Sequence, residues 1–300
     1  MTIEIPERLH EVVGEGHPGG PAWLERLPGL VEDCLADWQL TLGEPFRSTF
    51  SYVARVERAD GTPAVLKLTL PEHAADGEAE ALQRWGGDGC VLVLESSRER
   101  SALLLELVEP GEPLSDRPVD EALPVALDIA ARLWQPLEEG HTFRPLSEHF
   151  AEMLPLSEED FSIVPSACER EVYDEALAVY ASLQDEKWLI HGDLHTANIR
   201  SSGRQPWLAL DPAAPAGERE YELGWLLIDP PRAGKEPVPG RAELERRLDL
   251  LGGSGLDRER IRSWGFARGI IQGVFAARIG AQTSAGHLLG CAHVLPTTRQ

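Results

Sequence analysis

The sequence predicts an α+β protein of two lobes, a small antiparallel β-sheet carrying one helix, followed by a mainly helical lobe. Three observations predict it. A chain of 300 residues has room for two domains at roughly 100–200 residues each. Its first third alternates short apolar runs with turns, whereas the remainder carries long helical periods. The cluster Glu109-Pro-Gly-Glu-Pro113 separates the two patterns as a linker, which puts the lobes at 1–108 and 109–300.

Within the first lobe, a helical N-terminal extension precedes the sheet. Tyr52 to Arg58 alternates apolar with polar, Ala59-Asp-Gly-Thr62 is a turn, and Pro63 to Leu70 returns, so a β-hairpin is expected. Pro71 to Trp85 reads as a helix, stopped by Gly86-Gly-Asp-Gly89. Two apolar runs, Cys90–Leu94 and Ala102–Leu107, are the next strands, with the charged segment from Glu95 to Arg100 as their turn. In the second lobe helical periods cover Val119–Trp134, His149–Leu156, Glu169–Gln184, Arg241–Leu251, Asp257–Arg278 and Ala285–His293.

The net charge of −22 excludes a nucleic-acid partner, because no basic patch offsets that field; it is compatible with a cationic small molecule, and a solvated acidic surface explains it equally well. Acid is densest between Glu148 and Glu186, where 11 acidic residues face one basic residue, Arg170. Lysine is scarce: Lys67, Lys187 and Lys235 stand against 25 arginines. Cys34, Cys90, Cys168 and Cys291 are scattered thiols without metal-binding spacing. With no basic-then-apolar leader and no run of 18 apolar residues, a cytoplasmic protein with no membrane partner is expected.

The densest chemistry lies in His191-Gly-Asp193-Leu-His195-Thr-Ala-Asn198, followed by Trp207-Leu-Ala-Leu-Asp211-Pro. An apolar strand enters a polar loop with a carboxylate and a carboxamide five residues apart, and a second strand delivers another carboxylate. Phosphoryl transfer needs these parts. One carboxylate takes the hydroxyl proton, while an amide oxygen and a second carboxylate hold Mg²⁺ on the nucleotide phosphates. The H-R-D-x-x-x-x-N loop of protein kinases has the same Asp-to-Asn offset.

That loop resembles the H-G-D-x-H-x-x-N segment of the aminoglycoside phosphotransferase family, and Leu208-Ala-Leu-Asp211-Pro with Glu220-Tyr-Glu-Leu-Gly-Trp-Leu-Leu227 resembles its continuation. The streptomycin 6-kinase and hydroxyurea phosphotransferase branch is the most similar, since Gly61 to Leu68, Glu78 through Trp85 and Ala102 to Glu106 match in order. The likeness spans roughly residues 35–270. It implies a bilobal protein-kinase-like fold and ATP- and Mg²⁺-dependent phosphorylation of a small-molecule hydroxyl, with an aminoglycoside such as streptomycin as acceptor.

The resemblance implies Asp193 as catalytic base and Asn198 and Asp211 as magnesium ligands. Lys67 would hold the α- and β-phosphates with Glu78 as its partner, although Glu80 lies nearby on the same helix. The Glu106 carbonyl and the Val108 N–H would bind adenine. His191 would brace the loop, the role of His195 stays open, and Glu222 stands where the family has a buried aspartate tethering the loop backbone. Trp225, Asp229, Trp264 and Arg268 are candidate acceptor contacts. One departure concerns the phosphate-covering segment Arg47-Ser-Thr-Phe-Ser-Tyr52, which has no glycine. The Gly14-Glu-Gly-His-Pro-Gly19 pattern follows no apolar strand and reads as a plain loop. Two other readings stand beside the kinase: a metallophosphoesterase built on Gly192-Asp-Leu-His195, and a catalytically silent nucleotide-binding module.

Overall fold

The computed structural model describes residues 3–70, 76–151, 168–184, 186–229 and 237–295. The chain divides into two units, Met1–Glu109 and Pro110–Gln300.

The first unit is built on a five-stranded sheet, β1 (Leu40–Pro45), β2 (Ser51–Arg58), β3 (Pro63–Thr69), β4 (Val93–Ser97) and β5 (Ala102–Glu106), in the order β1-β2-β3-β5-β4. All four pairings are antiparallel. The expected hairpin is β2–β3, with Val56 opposite Ala64 and Gly61 at φ +80° in the turn. Helix α1 (Gly20–Asp37) covers one face of the sheet. Its Trp23, Leu24, Leu27, Val31, Cys34 and Leu35 recur at helical spacing and pack with Tyr52, Ala54, Leu66 and Leu68. Side chains alternate along a strand. With Leu66 and Leu68 committed to the α1 core, Lys67 and Thr69 are turned to the opposite face.

Two expectations are corrected here. Strand β1 is additional to the four predicted, because as an edge strand it buries little: all six of its residues are half-buried or exposed. Strand β4 starts at Val93, so Glu95-Ser-Ser97, expected in a turn, are paired instead, with a register shift between Val93 and Glu95. The backbone of an edge strand can pair while its polar side chains stay in water, so polarity there does not mark a turn. Helix α2 (Asp76–Trp85) follows β3, and Gly86 and Gly87, at φ +58° and +80°, end it. The predicted start of this helix, 71–75, lies outside the described residues.

The second unit holds α3 (Val119–Leu133), α4 (Leu146–Ala151), α5 (Arg170–Ala181), α6 (Arg219–Leu227), α7 (Arg241–Leu251), α8 (Arg258–Arg278) and α9 (Gln282–Val294). Two three-stranded sheets accompany them. One has β6 (Pro110–Pro113), β9 (Ile199–Ser202) and β10 (Trp207–Ala209); the other has β7 (Gln135–Pro136), β8 (Trp188–Leu189) and β11 (Ala216–Gly217). The helix expected at His149–Leu156 begins earlier, at Leu146, and 152–156 lies outside the described residues, as do 152–167 and 185 of the acidic stretch.

Helix α6 was not expected from helical periodicity. Tyr221 through Leu227 are all buried, so there is no polar face to give a period. Gly224 allows α6 to meet α8, since a Cβ there would stand 2.5 Å from the Trp264 Cβ. Among the described residues no helix is long and apolar enough to cross a membrane. The four cysteines are buried and form no disulfide, and burial pushes the Cys34 and Cys168 thiols up to about 11 and that of Cys291 to about 12.

Candidate active site

In the first unit, β3 and α2 bring Lys67 and Glu78 together. The ammonium donates to Oε1 at 2.7 Å and to Oε2 at 2.8 Å, with both residues buried. Glu80 is exposed on another face of the helix, which answers the choice between the two glutamates. On the face that Lys67 shares, the hydroxyls of Ser51 and Thr69 are 2.9 Å apart. The glycine-free segment between β1 and β2 closes with the Phe46 N–H donating to the Val53 carbonyl at 2.8 Å and with Ser48 Oγ bonded to the Ser51 carbonyl. At the end of β5, the Glu106 side chain accepts from the Leu92 N–H at 2.9 Å, and Val108 follows in the segment after the strand.

In the second unit, the loop between β8 and β9 carries the polar residues. Gly192 has φ +82°, and a Cβ there would lie 2.5 Å from Pro215 Cδ, so only glycine fits. Its N–H donates to Glu222 Oε1 at 2.8 Å, and Oε2 of that glutamate accepts from the Trp134 indole at 2.8 Å. Burial raises the Glu222 carboxyl to about 7, partly offset by those two hydrogen bonds. Asp193 is next in sequence. Its side chain is 43% exposed, yet the protein crowding it raises its pKa, while His195 and Arg268 pull it down.

Asn198 turns its amide nitrogen towards Asp193, at 3.1 Å from the backbone oxygen and 3.3 Å from Oδ2, which leaves the amide oxygen for another partner. Asp211 is exposed just beyond β10, and its charge acts on Asp193. Its φ of +59° is a left-handed conformation rare outside glycine. Three bonds hold that turn: Leu210 N–H to the Asn198 carbonyl at 2.8 Å, His191 Nε2 with the Leu210 carbonyl at 2.9 Å, and Ala214 N–H to the His191 carbonyl at 3.0 Å. One exposed carboxylate and one free amide oxygen on adjoining backbone suit Mg²⁺, which takes few protein ligands and completes its shell with phosphates and water.

The four acceptor candidates separate. Asp229, just after α6, accepts from the Thr196 N–H at 2.7 Å through Oδ2, while Oδ1 is buried with no hydrogen-bond partner among the described residues. The Trp225 ring stands edge-on to His195 at 6.3 Å, and its indole side chain helps to hold the Asp193 carboxyl down. Trp264 is a correction. It is fully buried, donates to Glu218 at 2.8 Å and packs edge-on against Tyr180 and Tyr221, so it is core. Arg268 is also a correction, 1% exposed beneath the loop and closed off from any acceptor in this conformation. The Trp134 contact to Glu222 carried no signal in the sequence, because the two residues lie 88 positions apart.

The family model for aminoglycoside/hydroxyurea antibiotic resistance kinases matches residues 37–280. The chain is 37% identical over 275 residues to a hydroxyurea phosphotransferase of Kitasatospora aureofaciens, covering 89% of this chain and 78% of that protein. It is 34% identical over 281 residues to a streptomycin 6-kinase of Streptomyces griseus, covering 89% and 88%. Among solved structures, the choline kinase LicA from Streptococcus pneumoniae aligns with a TM-score of 0.58 at 13% identity, covering 89% of this chain and 99% of that one. The fold is the protein-kinase-like α+β fold.

Proposed function

Since the chain belongs to the aminoglycoside/hydroxyurea antibiotic resistance kinases, which are small-molecule phosphotransferases, we propose that it transfers the γ-phosphoryl group of ATP to a hydroxyl of a cationic small molecule. Streptomycin is the acceptor proposed, in the cytoplasm, with hydroxyurea as the comparison compound. The observation that carries this reading is the catalytic loop. Asp193 presents a partly exposed carboxylate beside the Asn198 amide and the strained, exposed Asp211.

On this reading Asp193 orients the acceptor hydroxyl and takes its proton as the new O–P bond forms and the bond from the γ-phosphorus to the β,γ-bridging oxygen breaks, leaving ADP. Asn198 and Asp211 are the residues that would hold Mg²⁺, whose bound charge would offset that of the phosphates. Lys67, aligned by Glu78, binds the α- and β-phosphates, and the Glu106 carbonyl and Val108 N–H bind adenine. His191 keeps Asp211 in its turn, and Glu222 fixes the peptide ahead of Asp193. Trp225, beside His195, is the acceptor contact proposed, and Asp229, whose Oδ1 is buried in this conformation, holds the Thr196 N–H. The hydrolase and silent-module readings give way to family membership and to a filled set of catalytic positions.

Purified protein with Mg-ATP and streptomycin should release ADP and add one phosphate to the acceptor, measured by mass, while Asp193→Asn should do neither. Absence of transfer to streptomycin with transfer to hydroxyurea changes the acceptor. Absence with both, in wild type as in Asp193→Asn, overturns the reading.

A further inference from the structure

A buried cation lies beneath the catalytic loop and no step above uses it. Arg268, on α8, has its guanidinium carbon 3.9 Å from the Tyr221 ring centroid and 4.5 Å from that of Trp225, both on α6. Nη2 donates to the Gly192 carbonyl at 3.3 Å, and Nε and Nη1 are buried without a hydrogen-bond partner among the described residues. A buried guanidinium with unmade hydrogen bonds is costly, and the two aromatic faces offset only part of that cost. A position that needed packing alone is better served by an apolar side chain. What arginine adds is its charge and one donor, and both meet the loop.

The Gly192 peptide is the point of convergence. Its N–H is held by Glu222 at 2.8 Å, its carbonyl by Arg268 at 3.3 Å, and its φ is +82°. Pinning the backbone on both sides of one residue fixes the direction in which the next side chain, that of Asp193, leaves the chain. The guanidinium charge also favours the ionised form of Glu222, which holds the N–H of the same residue. Protein kinases have arginine in the loop itself at this offset, H-R-D. Here the position admits only glycine, and the guanidinium arrives from a helix 76 residues further on.

We propose that Arg268 is a positioning residue of the phosphotransfer reaction, gripping the Gly192 carbonyl beneath the loop so that Asp193 keeps its direction. This rests on the phosphotransferase reading above. Arg268→Gln should lower kcat about 100-fold with KM for Mg-ATP changed less than about threefold, as expected for loss of a positioned group felt in the transition state. Arg268→Lys, which keeps the charge and loses the planar fork, should retain about a tenth of kcat. In Arg268→Ala, millimolar guanidinium should restore activity about tenfold, whereas urea, planar but neutral, should not.

Backbone amide exchange over residues 191–198 should quicken in Arg268→Gln, and in Arg268→Ala added guanidinium should slow it again. Wild-type kcat in Arg268→Gln, equal rescue by urea, or unchanged loop exchange in a folded variant overturns the proposal. If wild type itself transfers phosphate to neither streptomycin nor hydroxyurea, the phosphotransferase reading fails separately, and loop exchange in Arg268→Gln or Arg268→Lys still decides whether Arg268 holds the loop.

Discussion

The two units hold their functional groups by different means. In the first, a lysine and a glutamate bind each other directly, side chain to side chain, within a sheet and a helix. In the second, side chains grip backbone: Glu222 and Asp229 take the N–H groups of Gly192 and Thr196, His191 meets the Leu210 carbonyl, and Arg268 meets that of Gly192. An ion pair survives or fails as a pair. A loop held at several points can lose one and move only in part, so substitutions in the second unit should change rates more than stability.

The largest effect expected is at the base. Asp193→Asn should lower kcat about 1,000-fold or more, the range lost with a general base, while the melting temperature holds or rises because a crowded carboxylate is gone. If the melting temperature collapses with the rate, Asp193 is a structural group and the contrast between the units fails.

Next comes the ion pair. Glu78→Ala breaks a buried ion pair by removing one partner and should destabilise the first unit by about 3–5 kcal/mol in denaturant unfolding. Lys67→Met combined with Glu78→Leu should recover much of that stability without recovering ATP binding, which separates the pair's structural role from its phosphate role.

Glu222 sharpens the second half of the contrast through pH. Its folded pKa, about 7, lies above the ordinary glutamate value of 4.5, so the folded state binds the proton more tightly than the unfolded chain. Its stabilising contribution is therefore complete below pH 4.5 and is lost as pH rises to 7, at about 1.4 kcal/mol per pH unit. Thermal melting across that interval should show the decline in wild type, and Glu222→Gln should flatten it. An unchanged profile in the variant would assign the decline to another group.

Asp229→Asn is milder. The amide oxygen can still accept from Thr196, so kcat and KM for streptomycin should each change less than about threefold. The smallest effect is at Glu80, where exposure predicts that Glu80→Gln changes stability by less than about 0.5 kcal/mol and leaves KM for ATP alone.

Much of the site was legible because phosphoryl transfer fixes residue types and offsets along one short loop. Asp193, Asn198 and Asp211 are neighbours in sequence, and a hairpin brings the third to the other two. Less legible were groups that act through contacts distant in the chain. Trp134 reaches Glu222 and Arg268 reaches Gly192 across 88 and 76 positions, and neither spacing has a pattern. The fold followed the same division. Helices with a polar face, such as α7 at Arg241–Leu251, were found at their observed bounds, whereas α6, buried from Tyr221 to Leu227, has no period and edge strands β1 and β4 carry polar side chains in a paired backbone.

The sequence by itself determined the family, the α+β class and the inventory of reactive groups, because these depend on which residues occur and at what short spacing. Tertiary structure decided which of two glutamates meets Lys67, made core of Trp264, and placed Arg268 in the interior against the Gly192 carbonyl. The physical reason is burial. Whether a polar side chain faces solvent, a partner or a backbone carbonyl depends on which helix packs over it, and no local pattern in the chain encodes that.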